Sequence, residues 1–285
     1  MRIALITPDP AHPLLAATTA LLAPRHTVTA IDPRRATKAG RGPASPLADV
    51  YLLKSRTPQA LALAHDLERR GARVVNGAAA TALLQDRTAM AERALAAGLP
   101  FAATRTHASL TELAAGPPLP GPVVVKSRRS AKDDLVARVD SAARLRELAA
   151  ARPDAREPVV VQDFAPNDGW DHKVWAIEDR LFAARRRSEL AEPVAAVGPA
   201  GPPQPGRGPT VPLGADQLPS GWAELTRRVR EVFGLDVYGV DFVEVVGRDG
   251  RGTPLIVDIN AFPGIREQPG APEALAALAL GNGRA

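Results

Sequence analysis

The sequence contains no cysteine, and this absence excludes several chemistries at once. Disulfide bonds, thiolate-bound metals and a cysteine nucleophile all require that residue. Aromatic residues make up only 4% of the chain, so stacking platforms for nucleic-acid bases are scarce. No run approaches the roughly 18 apolar residues of a membrane span, and the opening MRIALITPDP has too few apolar residues for a signal peptide. We therefore expect a cytoplasmic protein with no membrane partner and no nucleic-acid partner.

The rest of the composition describes a globular protein with a basic surface. Hydrophobic residues account for 45% and charged residues for 24% of the 285 residues, which is enough chain for two or three lobes with their own cores. The net charge of +5 comes mostly from arginine. One interpretation is a nucleic-acid binder and another is an arginine-rich surface; the scarcity of aromatic residues favours the second. A third interpretation, basic side chains gathered around phosphates, depends on where they lie.

The first 85 residues alternate short apolar runs with one well-marked helix. Thr57 is the predicted N-cap of that helix, Pro58 lies in its first turn and Gly71 follows its end. Apolar runs predict strands before and after the helix, at 3–6, 28–31, 49–53 and 74–75. This spacing predicts a small parallel sheet within an α/β domain over residues 1–85.

Two further lobes of mixed α+β character are predicted after this domain. Residues 86–161 combine a helix near 86–97 with a strand near 101–104 and other short apolar strands. In residues 162–285, two β-runs flank Glu178-Asp179-Arg180 as a predicted hairpin. Proline and glycine are so frequent in residues 189–219 that we predict a long surface loop there.

The stretch PLIVDINAFPG, residues 254–264, places polar side chains in an apolar strand. Asp258 and Asn260 share one face because side chains alternate along a strand. If Asp249 and Gly250 form a two-residue hairpin turn, Asp241 lies directly opposite Asp258, with Cβ atoms roughly 5 Å apart. Like charges at that distance favour a cation between them, and three oxygen ligands suit Mg²⁺. The alternatives are an exposed sheet edge with solvated aspartates, or a bulge near the turn that breaks the register.

Several motifs, in order along the chain, resemble the ATP-grasp superfamily. GVDFVEV and PLIVDINAFPG resemble its metal-binding strands, and PVVVKSRRS resembles the strand that carries its nucleotide-binding lysine. QDRTAMAERALAAGLPFAATRT resembles its entry helix and strand, and VVVQDFAPNDGWDHKVWAIEDRLFAARRRS its adenine hinge and the following hairpin. The chain is especially similar to RimK-type glutamate ligases and to inositol trisphosphate 5/6-kinases. The resemblance implies an ATP-grasp fold with an N-terminal pre-grasp domain (1–85), a central lobe (86–161) and a C-terminal lobe with a metal site (162–285).

The resemblance also implies which residues bind ATP. Lys126 would reach the α- and β-phosphates as a point charge, with Arg87 standing where a lysine is usual. The acid after the hinge, Asp171, would bind the ribose. The backbone of the hinge would read adenine, and its residues are Gln162, Asp163, Phe164 and Ala165. From the residues alone, the hinge is only a strand end, Asp171 a turn residue and Lys126 a lysine on an edge strand.

The resemblance also implies a set of metal ligands, which would hold two Mg²⁺ ions, or Mn²⁺ in their place, against the triphosphate. Its members are Asp241, Asp258 and Asn260. Lys173, together with Arg185 and Arg187 from the run 185–187, would place catalytic cations beside the γ-phosphate and the acceptor. The alternative for that run is an ordinary solvated charge cluster. We assign none of the 5 histidines to a metal.

Departures from the family pattern leave the acceptor substrate open. The segment after Lys126, SRRSAKDDLVAR, lacks the usual glycines, and residues 189–219 replace the usual acceptor-binding signature. Basic residues outside these motifs could bind either a carboxylate substrate or a phosphorylated polyol, and they are Lys54, Arg56, Arg128, Arg129 and Lys132.

Three functional hypotheses follow from the sequence. The favoured one is an ATP- and Mg²⁺-dependent carboxylate–amine ligase that works through an acyl phosphate on an anionic small-molecule or peptide substrate. The second is a small-molecule kinase resembling the inositol phosphate kinases. The third is an ATP-binding partner protein without turnover, against which the intact metal-ligand set argues. A monomer and an oligomer are both compatible with the sequence.

Overall fold

The computed structural model describes residues 1–36, 46–131, 134–152, 154–190, 210–214, 217–246 and 252–281. In chain order the elements are β1 (Arg2–Ile6), α1 (Pro13–Leu22), β2 (Thr27–Ile31), α2 (Pro33–Ala36), β3 (Val50–Leu53), α3 (Pro58–Arg69), β4 (Val74–Val75), α4 (Ala78–Leu83), α5 (Arg87–Ala96), β5 (Thr104–His107), α6 (Leu110–Ala115), β6 (Val123–Ser127), β7 (Val136–Val139), α7 (Ala142–Ala151), β8 (Val159–Asp163), β9 (Trp170–Ile177), β10 (Arg180–Arg187), β11 (Val211–Leu213), α8 (Trp222–Phe233), β12 (Val237–Val246), β13 (Gly252–Ala261) and α9 (Ala271–Leu280). None of the described helices is long and apolar enough to cross a bilayer.

The first sheet is parallel, as the sequence predicted, with strand order β2-β1-β3-β4. Its central strands β1 and β3 are almost entirely buried because helices cover both faces. The predicted start of α3 is also confirmed: the hydroxyl of Thr57 accepts the N–H of Ala60, and Pro58 occupies the first turn.

The second sheet is antiparallel, with strand order β5-β8-β6-β7, and α6 and α7 cover one face. Its first strand begins at Thr104, later than the predicted 101–104. Residues 100–102 instead pair with the edge of β13: Ile256 donates its N–H to the Pro100 carbonyl at 2.7 Å, and Ala102 donates to the Ile256 carbonyl at 2.9 Å. This segment therefore joins the second sheet to the third.

The third sheet is antiparallel, with strand order β11-β10-β9-β12-β13. The hairpin predicted around Glu178 is confirmed, since Arg180 pairs with Ile177. One face of the sheet packs against α5 and α8, and the other packs against α1, α9 and the first sheet. The short strand β11 lies inside the predicted 189–219 loop, of which residues 191–209 and 215–216 lie outside the described part.

The lobe boundaries near residues 85 and 161 remain a proposal. Met90, Ala91 and Ala94 of α5 pack in the core beneath the third sheet, although the sequence grouped this helix with the central lobe. β8 continues to Asp163, two residues beyond the proposed boundary.

Asn76 connects the end of the first sheet to the start of β12. Its side chain is buried; its carbonyl oxygen accepts the N–H groups of Asp236 and Val237 at 2.8 and 2.9 Å. Its amide group donates to the Val237 carbonyl at 2.6 Å. One side chain therefore satisfies the backbone hydrogen bonds at the start of a buried strand, although Asn76 and Val237 are 161 positions apart in the sequence.

We expect Asn76→Ala to lower the free energy of unfolding by about 2–4 kcal/mol, because it leaves buried backbone groups without partners. Urea denaturation measures this loss. The matched control is Asn167→Ala, since among the described residues the side-chain amide of Asn167 bonds only within its own loop, to Ala165 and Gly169. Equal losses in the two variants would contradict the connecting role of Asn76.

Candidate active site

Asp241 on β12 lies directly opposite Asp258 on β13, as the sequence predicted. The reason differs from the prediction, because Val246 pairs with Gly252, and that pair is one residue out of the register that a turn at Asp249 and Gly250 alone would give. A β-bulge restores the register: Phe242 pairs with Ile256, so Val257 is the extra residue next to the aspartates. Residues 247–251, which include the predicted turn at Asp249 and Gly250, lie outside the described part of the chain.

Each aspartate has a cationic partner from another element. The Lys173 ammonium on β9 lies 2.7 Å from Asp241 Oδ2, and the Arg87 guanidinium on α5 lies 3.4 Å from Asp258 Oδ2. Both carboxylate side chains are about one-fifth exposed, at 22% and 17%, so the alternative of solvated aspartates does not hold. In this environment, an unpaired carboxylate would cost several kcal/mol.

The bulge also positions Lys126. Its Nζ donates to the Val257 carbonyl at 2.8 Å, so the strand β6 of the second sheet reaches the bulge in the third. Lys126 is buried, and burial lowers the pKa of its ammonium even though Asp258 raises it. The nearby Arg87 lowers this pKa further.

Arg87 is held by a partner that the sequence analysis missed. Its guanidinium donates to the Ser127 carbonyl at 2.8 Å and to Asp134 Oδ2 at 2.6 Å. Asp134 lies eight residues beyond Lys126 in a polar segment, where no local pattern distinguishes it from neighbouring Asp133. Three basic side chains (Arg87, Lys126, Lys173) therefore lie among three carboxylates (Asp134, Asp241, Asp258).

The donor set of this cluster fits Mg²⁺. Asp241, Asp258 and Asn260 offer hard oxygen atoms on one face of the β12–β13 pair, and Asn260 lies opposite Gly239, which has no side chain to cover it. A divalent ion would share the two carboxylates with Lys173 and Arg87. The residues proposed as ligands are therefore the ones that the structure brings together.

The hinge residues lie where β8 leaves the second sheet. The N–H of Phe164 donates to the Pro122 carbonyl at 3.0 Å, and the Ala165 carbonyl accepts the Asn167 amide at 2.9 Å. Among the described residues, the Phe164 carbonyl and the Ala165 N–H have no hydrogen-bond partner, so they are the groups through which this hinge could read a base.

The side chains of the other two hinge residues point elsewhere. The buried amide of Gln162 donates to Thr104 Oγ1 at 3.0 Å, and exposed Asp163 pairs with Arg105 on the outer edge of the second sheet. Any role of these two residues in binding a nucleotide is therefore left to their backbone.

The arginine run on β10 divides between the two faces of the third sheet. Arg186 lies opposite Asp171, with Nε 3.5 Å from Oδ2, on the same face as Lys173. Arg185 and Arg187 lie on the other face, with their guanidinium carbons 4.6 and 4.3 Å from the Trp170 ring centre. The structure thus brings Lys173 and Asp171 to the carboxylate face but not Arg185 and Arg187, because side chains alternate along the strand. Arg186 is the arginine of the run that shares this face.

A group of basic side chains lies just beyond the metal-ligand strand. Lys54 follows β3 and donates its ammonium to the Phe262 carbonyl at 3.0 Å, two residues after Asn260. Burial, then Arg56, then Arg266 lower the pKa of Lys54 to about 8, against the opposing effect of Asp9. His12 also belongs to this group, since burial, Lys54 and Arg266 lower its pKa. The group has a net positive charge on the side of the cluster that faces the first sheet.

The other basic residues named from the sequence are placed differently. Arg128 makes a bidentate pair with Asp86, the N-cap of α5, which ties the segment after β6 to the start of that helix. Arg129 is exposed, and Lys132 lies outside the described part of the chain. Arg56 reaches toward the same segment, with its guanidinium 3.4 Å from Ser130 Oγ.

Three solved structures are similar to this chain over nearly its full length. A RimK-domain ATP-grasp protein from Sphaerobacter thermophilus matches with a TM-score of 0.70 and 24% identity, covering 98% of this chain and 100% of that one. D-alanine–D-alanine ligase from Bacillus anthracis matches with a TM-score of 0.66 and 14% identity, over 99% and 95%. The macrocyclase MdnC from Microcystis aeruginosa, bound with its precursor peptide MdnA, matches with a TM-score of 0.63 and 13% identity, over 98% and 99%.

The fold predicted from the sequence is therefore confirmed: the chain has the ATP-grasp fold, with a parallel sheet and two antiparallel sheets. No protein-family model and no curated protein matches the sequence. The further resemblance to inositol trisphosphate kinases stays a prediction.

We expect Arg87→Met to lower the free energy of unfolding by about 3–5 kcal/mol, because it leaves Asp134 and Asp258 without their shared cation in a buried setting. Adding Asp134→Asn to that variant should recover part of the loss, and urea denaturation of the single and double variants measures both. The control is Arg105→Met, whose partner Asp163 is exposed, with an expected loss of at most about 1 kcal/mol. If Arg87→Met lost no more than this control, the network would not be a stabilising one.

Proposed function

We propose that this chain, with its ATP-grasp fold, is an ATP-dependent carboxylate–amine ligase that works through an acyl phosphate. The observation that carries the proposal is the cluster of charges between two antiparallel sheets, in which three basic side chains meet three carboxylates: Arg87, Lys126 and Lys173 with Asp134, Asp241 and Asp258. Two of the similar structures also support the proposal. One is named as a D-alanine–D-alanine ligase, and the other is a macrocyclase bound with its precursor peptide.

The chain's own residues would hold the nucleotide from three sides. The Phe164 carbonyl and the Ala165 N–H offer the base an acceptor and a donor. Asp171 offers the ribose a carboxylate on the same face as Lys173. Lys126 and Arg87 would place their charges against the phosphates, where fixed cations in a site shielded from water interact more strongly than they do in solvent.

The Mg²⁺ would be held by Asp241, Asp258 and Asn260. The family resemblance predicts two such ions. When bound, such ions offset the charge of the triphosphate and hold its terminal group in line with the acceptor. Lys173 holds Asp241 in place through an ion pair, and Arg87 does the same for Asp258.

The reaction has two balanced steps. In the first, a carboxylate oxygen of the substrate attacks the γ-phosphorus of ATP; the bond to the bridging oxygen breaks and ADP leaves. In the second, an amine attacks the carbonyl carbon of the acyl phosphate, inorganic phosphate leaves with the bonding electrons, and the amine nitrogen loses a proton. Arg186 and Lys173 lie on the face where the negative charge of both steps develops.

The substrate carboxylate would bind beside the basic group formed by Lys54, Arg56 and Arg266. This group adjoins Phe262, which follows the metal-ligand strand, so an anion bound there would lie next to the transferred phosphoryl group. A small acidic molecule and an acidic peptide segment share the chemistry that this group recognises. The net positive charge of this basic group supports an anionic substrate, but it does not distinguish a small acidic molecule from an acidic peptide segment.

The first experiment distinguishes a ligase from a kinase. We expect pools of amino acids and acidic peptides, with Mg²⁺ and ATP, to stimulate formation of ADP and an equimolar amount of free phosphate. Hydroxylamine should trap a hydroxamate when the carboxylate substrate is present, because an acyl phosphate reacts with this amine. Coupled ADP and phosphate assays and mass spectrometry measure the three products.

The control for this assay is Asp258→Asn, which should keep a cooperative unfolding transition while losing ADP formation by at least about a hundredfold. ADP formed without free phosphate, together with a polyol that gains one phosphoryl group, would replace the ligase with the kinase. Full turnover in Asp258→Asn would show that this carboxylate does not hold the nucleotide's cation.

The second experiment tests the basic group through pH. Lys54 has a lowered pKa of about 8, so it is charged below that pH and loses its charge as the pH rises through it. The pKa of His12 in the same group is also lowered, by burial and by the charges of Lys54 and Arg266. We expect kcat/KM for the carboxylate substrate to fall above about pH 8 in the wild type.

Lys54→Met should raise KM for the carboxylate substrate by about tenfold or more, leave KM for ATP nearly unchanged and abolish the fall above pH 8. The matched control is Arg25→Met, which removes an exposed positive charge away from the cluster. An unchanged pH profile in Lys54→Met would exclude Lys54 as the anion-binding group while leaving the ligase reaction itself intact.

A further inference from the structure

A second cluster of potential ligands lies on the other face of the third sheet, away from the carboxylate pair. It consists of Asp168, His172 and Glu244, whose ligand atoms all lie within 4.8 Å of one another. His172 pairs in register with Phe242 and packs edge-on against Trp222 of α8, with ring centres 5.0 Å apart. The cluster is therefore separated from Asp241 and Lys173 by the sheet itself.

His172 is the unusual member of this cluster. Its residue is only 5% exposed, and within the described part of the chain neither of its ring nitrogens has a hydrogen-bond partner. Its Nε2 is directed toward Asp168, 3.6 Å from Oδ2, beyond hydrogen-bonding distance. A buried polar atom without a partner is destabilising, so the ring is placed as if for a ligand.

The two carboxylates are not neutralised by neighbouring arginines. Arg185 and Arg187 share this face, but both guanidinium groups stack on Trp170. Among the described residues, Asp168 has His172 as its one charged partner, and Glu244 has none. Two negative charges and an imidazole thus converge with no protein cation between them.

We propose that Asp168, His172 and Glu244 bind a divalent cation of the zinc type. Two ligands bonded at about 2.1 Å in a tetrahedral site lie about 3.4 Å apart, close to the 3.6 Å between His172 and Asp168. The Glu244 carboxylate lies within 4.8 Å of both other ligand atoms. An imidazole in the set favours zinc, cobalt or nickel over Mg²⁺, which prefers oxygen ligands alone.

The position of the cluster indicates what the cation would do. Asp168 belongs to the loop that follows Ala165, and Glu244 lies on β12, so a shared cation joins this loop to the rigid sheet. Two weaker contacts already link them: Val246 donates to the Pro166 carbonyl at 3.4 Å, and Asn167 forms a bridge with Val245. A bound cation would therefore fix the hinge. The expectation that this cation changes the affinity for ATP rests on the proposed function, whereas the expectation that the site binds a cation does not.

The test uses the full chain, freed of metal by a chelator and kept in excess Mg²⁺ to occupy the oxygen-ligand site. Calorimetric titration with Zn²⁺ should show one equivalent bound, and Co²⁺ should give the visible absorption bands of a site with nitrogen and oxygen ligands. Asp168→Asn and Glu244→Gln should each weaken Zn²⁺ binding by at least about tenfold, and His172→Gln should abolish it.

Three further variants separate this site from other sources of binding. His65→Gln and Glu224→Gln remove an exposed histidine and an exposed carboxylate and should bind Zn²⁺ like the wild type. Asp258→Asn should also bind normally, because its carboxylate lies on the opposite face. The two carboxylate variants decide the matter even if His172→Gln fails to fold. Wild-type binding weaker than about 1 mM, or equal binding in Asp168→Asn and Glu244→Gln, would overturn the proposal.

Discussion

Two carboxylates that face each other across a hydrogen-bonded strand pair are the constraint on which the rest of the site depends. Asp241 and Asp258 repel one another, and each is largely buried, so the fold must supply positive charge. Lys173 comes from the neighbouring strand, and Arg87 comes from a helix that precedes the second sheet. Because the Ser127 carbonyl at the end of β6 and Asp134 hold Arg87, the charges around the carboxylate pair depend on how the second and third sheets are docked.

The bulge at Val257 gives this arrangement its geometry. It restores the opposition of the aspartates, and its carbonyl accepts the ammonium of Lys126 from the second sheet. The segment 100–102 adds two backbone hydrogen bonds to Ile256 beside it. A local irregularity in one strand is thus the point at which two sheets are joined, and the junction lies beside the charges that would bind a nucleotide's phosphates.

The β9–β10 hairpin shows how one pair of strands can serve two sites. Asp171, Lys173 and Arg186 share the face of the carboxylate pair, whereas the intervening residues lie toward α8. His172 is one of those intervening residues, which is why a proposed metal site can lie within one residue of the proposed active site and still be separate from it. Alternation along a strand also explains why a run of consecutive arginines cannot act as a unit.

The sequence by itself determined the features that depend on neighbouring residues. The helix cap at Thr57, the parallel first sheet and the hairpin at Glu178 follow from alternation, turn residues and short spacing. The predicted opposition of Asp241 and Asp258 is present, but it also depends on a bulge that no local pattern signals. Tertiary structure alone decided three contacts of the site. Asp134 pairs with Arg87, Arg186 is the arginine of residues 185–187 that lies on the face of the carboxylate pair, and Lys54 bonds to Phe262, which is 208 positions away in the sequence. Such contacts have no local signal, because packing between distant segments decides which of several similar charged residues meet.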